Sequence, residues 1–118
     1  MLIAIQSRGF SLTPALRAYV QNRLGFTLTR GADRVRRIDV RLSDVNGPRG
    51  GDDKRCLIVV KLQGLANVVI EDTQSDLYTA IDRAAARAGR TLKRRLTLLT
   101  TVRRSNSVPH VDQGAAGL

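Results

Sequence analysis

The chain has 118 residues, 42% of them apolar, and carries 20 lysines and arginines against 10 acids for a net charge of +10. That length suits one hydrophobic core, and the apolar share excludes disorder through most of it. One cysteine, Cys56, excludes an internal disulfide and a thiolate metal site, while the cationic excess points to polyanions, nucleic acid ahead of a membrane surface.

The opening LIAIQS, with Ile3 and Ile5 in alternation, predicts a first strand. GFSLTPALRAYVQNRL follows as an amphipathic helix. Thr13 is its N-cap, Pro14 occupies the first helical position, and Leu16, Tyr19, Val20 and Leu24 share one side. Gly25 and Gly31 bracket its end. VRRIDVRLSDV alternates, with Ile38, Val40 and Leu42 facing one way and Arg37, Asp39, Arg41 and Ser43 the other, as a half-buried strand does. NGPRGGDD is dense in turn residues and predicts a loop. KRCLIVVKLQGL is a third strand with Cys56, Ile58, Val60 and Leu62 on one face, and NVVIED a fourth after a turn at Gly64. In TQSD, Thr73 fits a helix cap with Asp76 three residues on, and a long helix is expected from there to about Thr100.

The order is therefore β-α-β-β-β-α, an α+β fold with two helices packed on one face of a four-stranded sheet. Residues 1–104 form the expected single domain. SNSVPHVDQGAAGL lacks periodicity, so 105–118 is expected to be a flexible tail. The apolar start MLIAIQSR is too short for a secretory signal, and no stretch reaches the length of a membrane span; a cytoplasmic location is expected.

From Arg83 to Arg104 the last helix holds eight arginines and lysines and no acid. Arg83, Arg87, Arg90 and Arg94, spaced four, three and four apart, project within a sector of roughly 60° and form a ridge about 16 Å long. Leu77, Ile81, Ala84, Ala88, Leu92, Leu96 and Leu99 take the other side. A helix face that serves solubility alone interleaves both signs. Like charges in adjacent turns repel unless an anion neutralises them, and the planar guanidinium fork matches phosphate oxygens. The ridge predicts polyanion binding.

The four aromatics are Phe10, Tyr19, Phe26 and Tyr78, and the two tyrosines sit at apolar helix positions expected to be core. That scarcity disfavours single-strand binding by stacked bases and favours recognition of backbone and shape. In the loop and the strand after it, Arg49, Lys54 and Arg55 are possible additional phosphate contacts. The loop lacks the final Gly-Lys-Ser/Thr of nucleotide hydrolases. Asp52 and Asp53 read as surface acids and Cys56 as a small core residue. The only histidine, His110, falls in the expected tail, away from any nucleophile in sequence. No enzymatic activity, metal, cofactor or small-molecule substrate is expected.

IQSRGFSLTPALRAYVQNRL resembles the first strand and helix of the ribosome hibernation promoting factors, also called ribosome-associated inhibitor proteins, and DLYTAIDRAAARAGRTLKRRL resembles their second helix. The resemblance spans roughly residues 1–104. It implies a double-stranded-RNA-binding-like fold that docks on the small (30S) ribosomal subunit and the 70S ribosome, between head and body. There it would cover the path of messenger RNA and tRNA and silence translation in starvation or stationary phase. By position it implies ribosomal-RNA contacts for Arg17 and Arg23 on the first helix and Arg87, Arg90 and Arg94 on the second, with Arg83, Lys93 and Arg95 extending the surface. GFTLTRGADR substitutes glycines and threonines where the family continues its first helix with lysines and leucines.

The expected function is a non-catalytic translation inhibitor acting by steric exclusion. Reversal of Arg87 and Arg90 to Glu is expected to abolish ribosome association and leave the domain folded. One alternative is a regulatory module acting on a transcription (sigma) factor through the outward residues Arg37, Asp39, Arg41 and Lys61. The other is generic duplex-RNA binding.

Overall fold

A computed structural model describes the backbone of residues 2–44 and 54–107 and the side chains of 2–44 and 54–99. Strand β1 (Leu2–Arg8) leads into helix α1 (Pro14–Thr27) and a short 3₁₀ stretch (Thr29–Arg34). Strands β2 (Val35–Asp44), β3 (Lys54–Leu62) and β4 (Val68–Gln74) follow, then helix α2 (Leu77–Ser107). The predicted β-α-β-β-β-α order is the observed one. The sheet runs β1-β2-β3-β4, with β1 parallel to β2 and the other pairs antiparallel. A parallel pair needs a crossover, which α1 supplies, whereas Gly64 at φ +75° turns β3 back onto β4.

Register aligns the apolar alternation into rows across the sheet. Ile3, Ile38, Val60 and Val68 form one row, and Ile5, Val40, Ile58 and Ile70 the next. The third is Ser7, Leu42, Cys56 and Asp72. Both helices cover this face. Leu16, Val20 and Leu24 come from α1, Ala80, Ile81, Ala84, Ala85, Ala88 and Leu92 from α2, and all are buried in one core with the rows. Cys56 is fully buried there, as expected. Removal from water raises its thiol pKa to about 12, with the Asp72 carboxylate adding to the shift.

Thr13 caps α1 as predicted, its hydroxyl accepting from the Leu16 amide at 3.1 Å. At α2 the expectation is corrected. Thr73 and Gln74 continue β4 by pairing with Arg55 and Lys54, so Thr73 cannot cap the helix. Asp76 caps it instead, its Oδ2 accepting from the Thr79 amide and hydroxyl, each at 3.0 Å. The helix also runs to Ser107, past the expected end near Thr100. Its 31 residues make a rod about 46 Å long. Of the expected tail, residues 108–118 lie outside the described residues, as does the loop 45–53 that contains Arg49.

Two glycines let the helical layer close. A Cβ on Gly89 of α2 would stand 2.6 Å from the Thr27 carbonyl oxygen at the end of α1. A Cβ on Gly31, in the 3₁₀ stretch, would meet the Leu92 and Leu96 side chains at 2.8 and 2.7 Å. The glycines that distinguish this chain's GFTLTRGADR thus include one seated against α2 by having no side chain.

Candidate nucleic-acid interface

The two helices present their outer surfaces away from the sheet, and most of the predicted arginines stand there. They are not equivalent. Arg83 and Arg87 lean toward β4, where Asp72 ends the third row of the sheet with only 8% of its surface exposed. Arg87 Nη1 donates to the Glu71 carbonyl at 2.8 Å and to Asp72 Oδ2 at 3.2 Å, and Arg83 Nε lies 3.7 Å from the same oxygen. Gln74 donates to the other carboxylate oxygen. The protein therefore supplies an internal anion for the N-terminal half of the ridge, and the mutual repulsion expected from sequence is relieved there.

Farther along α2 that compensation ends. Arg90 and Lys93 are exposed, and their side chains have no ion-pair or hydrogen-bond partner among the described residues. Arg94, also exposed, reaches only its neighbour Thr91 at 3.5 Å. Arg95 belongs elsewhere: its guanidinium donates to the carbonyls of Ala66 and Asn67, pinning the β3–β4 turn to the helix. It acts as a strut between elements.

On α1, Arg17 is exposed and its side chain has no partner among the described residues. Arg23 is half-buried against α2, its Nε 3.1 Å from Asp82 Oδ1. The Tyr19 hydroxyl donates to that oxygen at 2.6 Å, which raises the tyrosine's pKa above its ordinary 10.0. Tyr19 also meets Tyr78 edge-on with ring centroids 4.7 Å apart. Tyr78 remains exposed, so of the two tyrosines expected in the core only Tyr19 is partly enclosed. Sequence reasoning, which places Asp72 near the start of the last helix as an acid favouring its dipole, did not pair Asp72 or Asp82 with these arginines, because packing alone brings them together.

Lys54 and Arg55 are not part of the helical surface. Lys54 Nζ lies 3.3 Å from Asp44 Oδ2 at one end of β3, and Arg55 pairs with Glu71 at 3.2 Å on the open face of the sheet. That open face also carries the outward residues of β2. Asp39 lies between Arg37 Nε at 2.8 Å and Lys61 Nζ at 3.5 Å, and chiefly the Arg37 hydrogen bond holds its carboxyl below the usual 3.8. Together with Gln6, Leu57 and Val59 these residues line a shallow depression. The candidate site thus reduces to Arg17, Arg90, Lys93 and Arg94 as uncompensated cations, with Arg23, Arg83 and Arg87 partly neutralised beside them. No helix among the described residues is long and apolar enough to cross a membrane.

Comparison with known proteins gives this surface its context. A model of the family described as sigma 54 modulation protein / S30EA ribosomal protein matches residues 3–99. Among solved structures, the N-terminal domain of Thermus thermophilus Protein Y is 35% identical and superposes with a TM-score of 0.68, covering 80% of this chain and 99% of its own. A ribosomal subunit interface protein from Coxiella burnetii superposes at 0.70 with 20% identity, over 82% of this chain and 99% of that one, a likeness of fold. No curated protein matches the chain. With nearly the whole described domain inside the family match, the chain belongs to the sigma 54 modulation protein / S30EA ribosomal protein family.

Proposed function

We propose that the chain is a non-catalytic, cytoplasmic hibernation factor. It docks through its helical surface on ribosomal RNA in the decoding region of the small subunit, in isolated subunits and whole ribosomes, and excludes messenger RNA and tRNA. Family membership supports an association with ribosomes. The observation that carries the RNA reading is the run Arg90, Lys93 and Arg94: three exposed cations within about 6 Å of helix rise, left without a carboxylate by a protein that neutralises their neighbours. Guanidinium and ammonium groups in such a run exchange bound counterions for phosphates, so affinity comes from charge and falls with salt. Steric exclusion needs no reacting group.

Sedimentation of stationary-phase extract through sucrose gradients tests the reading, with wild type compared with the double variant Arg90→Glu, Arg94→Glu. Wild type is expected with small subunits and whole ribosomes at moderate salt, eroding as salt rises; the variant is expected at the top of the gradient. Wild type that stays at the top even at low salt would overturn the proposal and favour a sigma-factor partner on the open sheet face. Equal competition by bulk duplex RNA and by small subunits would instead favour generic duplex binding. Arg87 is not used for this test, because a glutamate there would face Asp72 and disturb the fold.

A further inference from the structure

Phe26 stands on α1 two residues from both Leu24 and Leu28, which places it about 200° around the helix from each of these buried side chains. The residue is 76% exposed. It forms one wall of a groove of about 570 Å³ between the end of α1 and the middle of α2. The groove is also lined by Ala86 and Gly89, whose small size leaves it open, and by three cations, Arg30, Arg90 and Lys93. The side chain of Arg30, like those of the other two, is exposed with no ion-pair or hydrogen-bond partner among the described residues. No acid lines the groove.

We propose that this groove binds one unpaired RNA nucleotide, its base stacked on Phe26 and its flanking phosphates held by Arg30, Arg90 and Lys93. A lone exposed phenyl needs no explanation. A phenyl beside three unneutralised cations and an apolar floor matches a ligand that carries a π-face and negative charge together, and a nucleotide does so in one residue. Every base has such a face, so the site would select unpaired over paired RNA with little preference for sequence. An aromatic poor in neighbours can serve this purpose even in a chain with few aromatics; the scarcity that argued against stacking does not touch a single site. The inference rests on the proposed RNA reading and adds to it a contact that charge alone does not make.

The test uses the full chain and two RNA hairpins of equal length, one perfectly paired and one with a single bulged adenosine. Phe26→Ala is expected to weaken binding to the bulged hairpin about ten-fold and to leave the paired one unchanged. The slope of log K against log salt should stay as in wild type for Phe26→Ala, because stacking releases no counterions. Arg90→Ala should lower that slope by about one phosphate contact. The chain has no tryptophan. Phe26→Trp therefore installs a single, selectively excitable tryptophan, expected to restore affinity and to be quenched by the bulged hairpin only. If Phe26→Ala binds the bulged hairpin as tightly as wild type while Arg90→Ala is weakened, the stacking site is overturned and the RNA reading stands. If neither substitution weakens binding to either hairpin, both fall.

Discussion

Arg87 and Arg90 sit one turn apart on α2 and look alike in sequence, yet their environments separate them. Arg87 holds a buried-edge carboxylate and a strand carbonyl; Arg90 holds nothing that the fold provides. Arg87→Ala is therefore expected to cost about 1–2 kcal/mol of folding stability, since it removes two charge-assisted hydrogen bonds and leaves Asp72 with the more distant Arg83. Arg90→Ala should stay within about 0.5 kcal/mol of wild type while weakening RNA binding. Urea denaturation of both variants measures the contrast, and equal stability of the two would contradict the role assigned to Asp72. Tyr19 gives a pH signature at the same scale. Its phenol holds its proton above 10.0 when folded and releases it at the ordinary value when unfolded. The contribution is complete below pH 10 and is lost as pH rises through the folded value. Wild type should thus lose more stability than Tyr19→Phe between pH 9 and higher alkaline pH, as read from denaturation midpoints.

Among the elements, the contact between the end of α1 and the middle of α2 decides how the helical surface is shaped. Alanine ordinarily stabilises a helix interior by about 1 kcal/mol relative to glycine. At Gly89 that gain is outweighed, because the new methyl would press on the Thr27 carbonyl at 2.6 Å and backbone cannot step aside as a side chain does. Gly89→Ala is expected to destabilise by about 1–3 kcal/mol, measured by thermal or urea unfolding; a gain in stability would mean that the helices separate easily. Local pattern reveals the strands because each alternates cleanly against one buried face, and Thr13-Pro14 announces α1 through neighbours in sequence. The start of α2 is different. Thr73 and Asp76 are both good caps three residues apart, and what excludes Thr73 is its pairing with Arg55 on another strand. The same distance in sequence hides Asp72 from its arginines. Phe26 was within reach of helical spacing, since its offset from Leu24 and Leu28 already turns it from the core. What spacing could not supply was the groove beside it, which depends on the approach of α2.

Over the whole molecule, the cations divide into two populations. On the open sheet face Arg37 and Lys61 share Asp39 and Arg55 has Glu71, although Arg8 and Arg41 remain unpaired among the described residues. On the helical face Arg17, Arg30, Arg90, Lys93 and Arg94 stand without a carboxylate among the described residues. Among the described residues uncompensated charge thus lies on both faces, and on the helical face it spans α1, the 3₁₀ stretch and α2. Salt should erode ribosome association steeply, by the counterions released at each phosphate contact. Cys56 sits at the opposite extreme of this molecule, fully enclosed between the sheet and the helices with its thiol held neutral. A thiol reagent in native buffer can reach it only through chain opening, so its modification rate counts excursions of the sheet from its helical cover. Where reclosing outpaces labelling, each 1.4 kcal/mol lost, as in Gly89→Ala, should speed modification about ten-fold. The one sulfhydryl of this chain is in that sense a built-in gauge of how much of the time the protein stands open, readable without denaturant and, with RNA added, able to show whether binding lowers that open fraction.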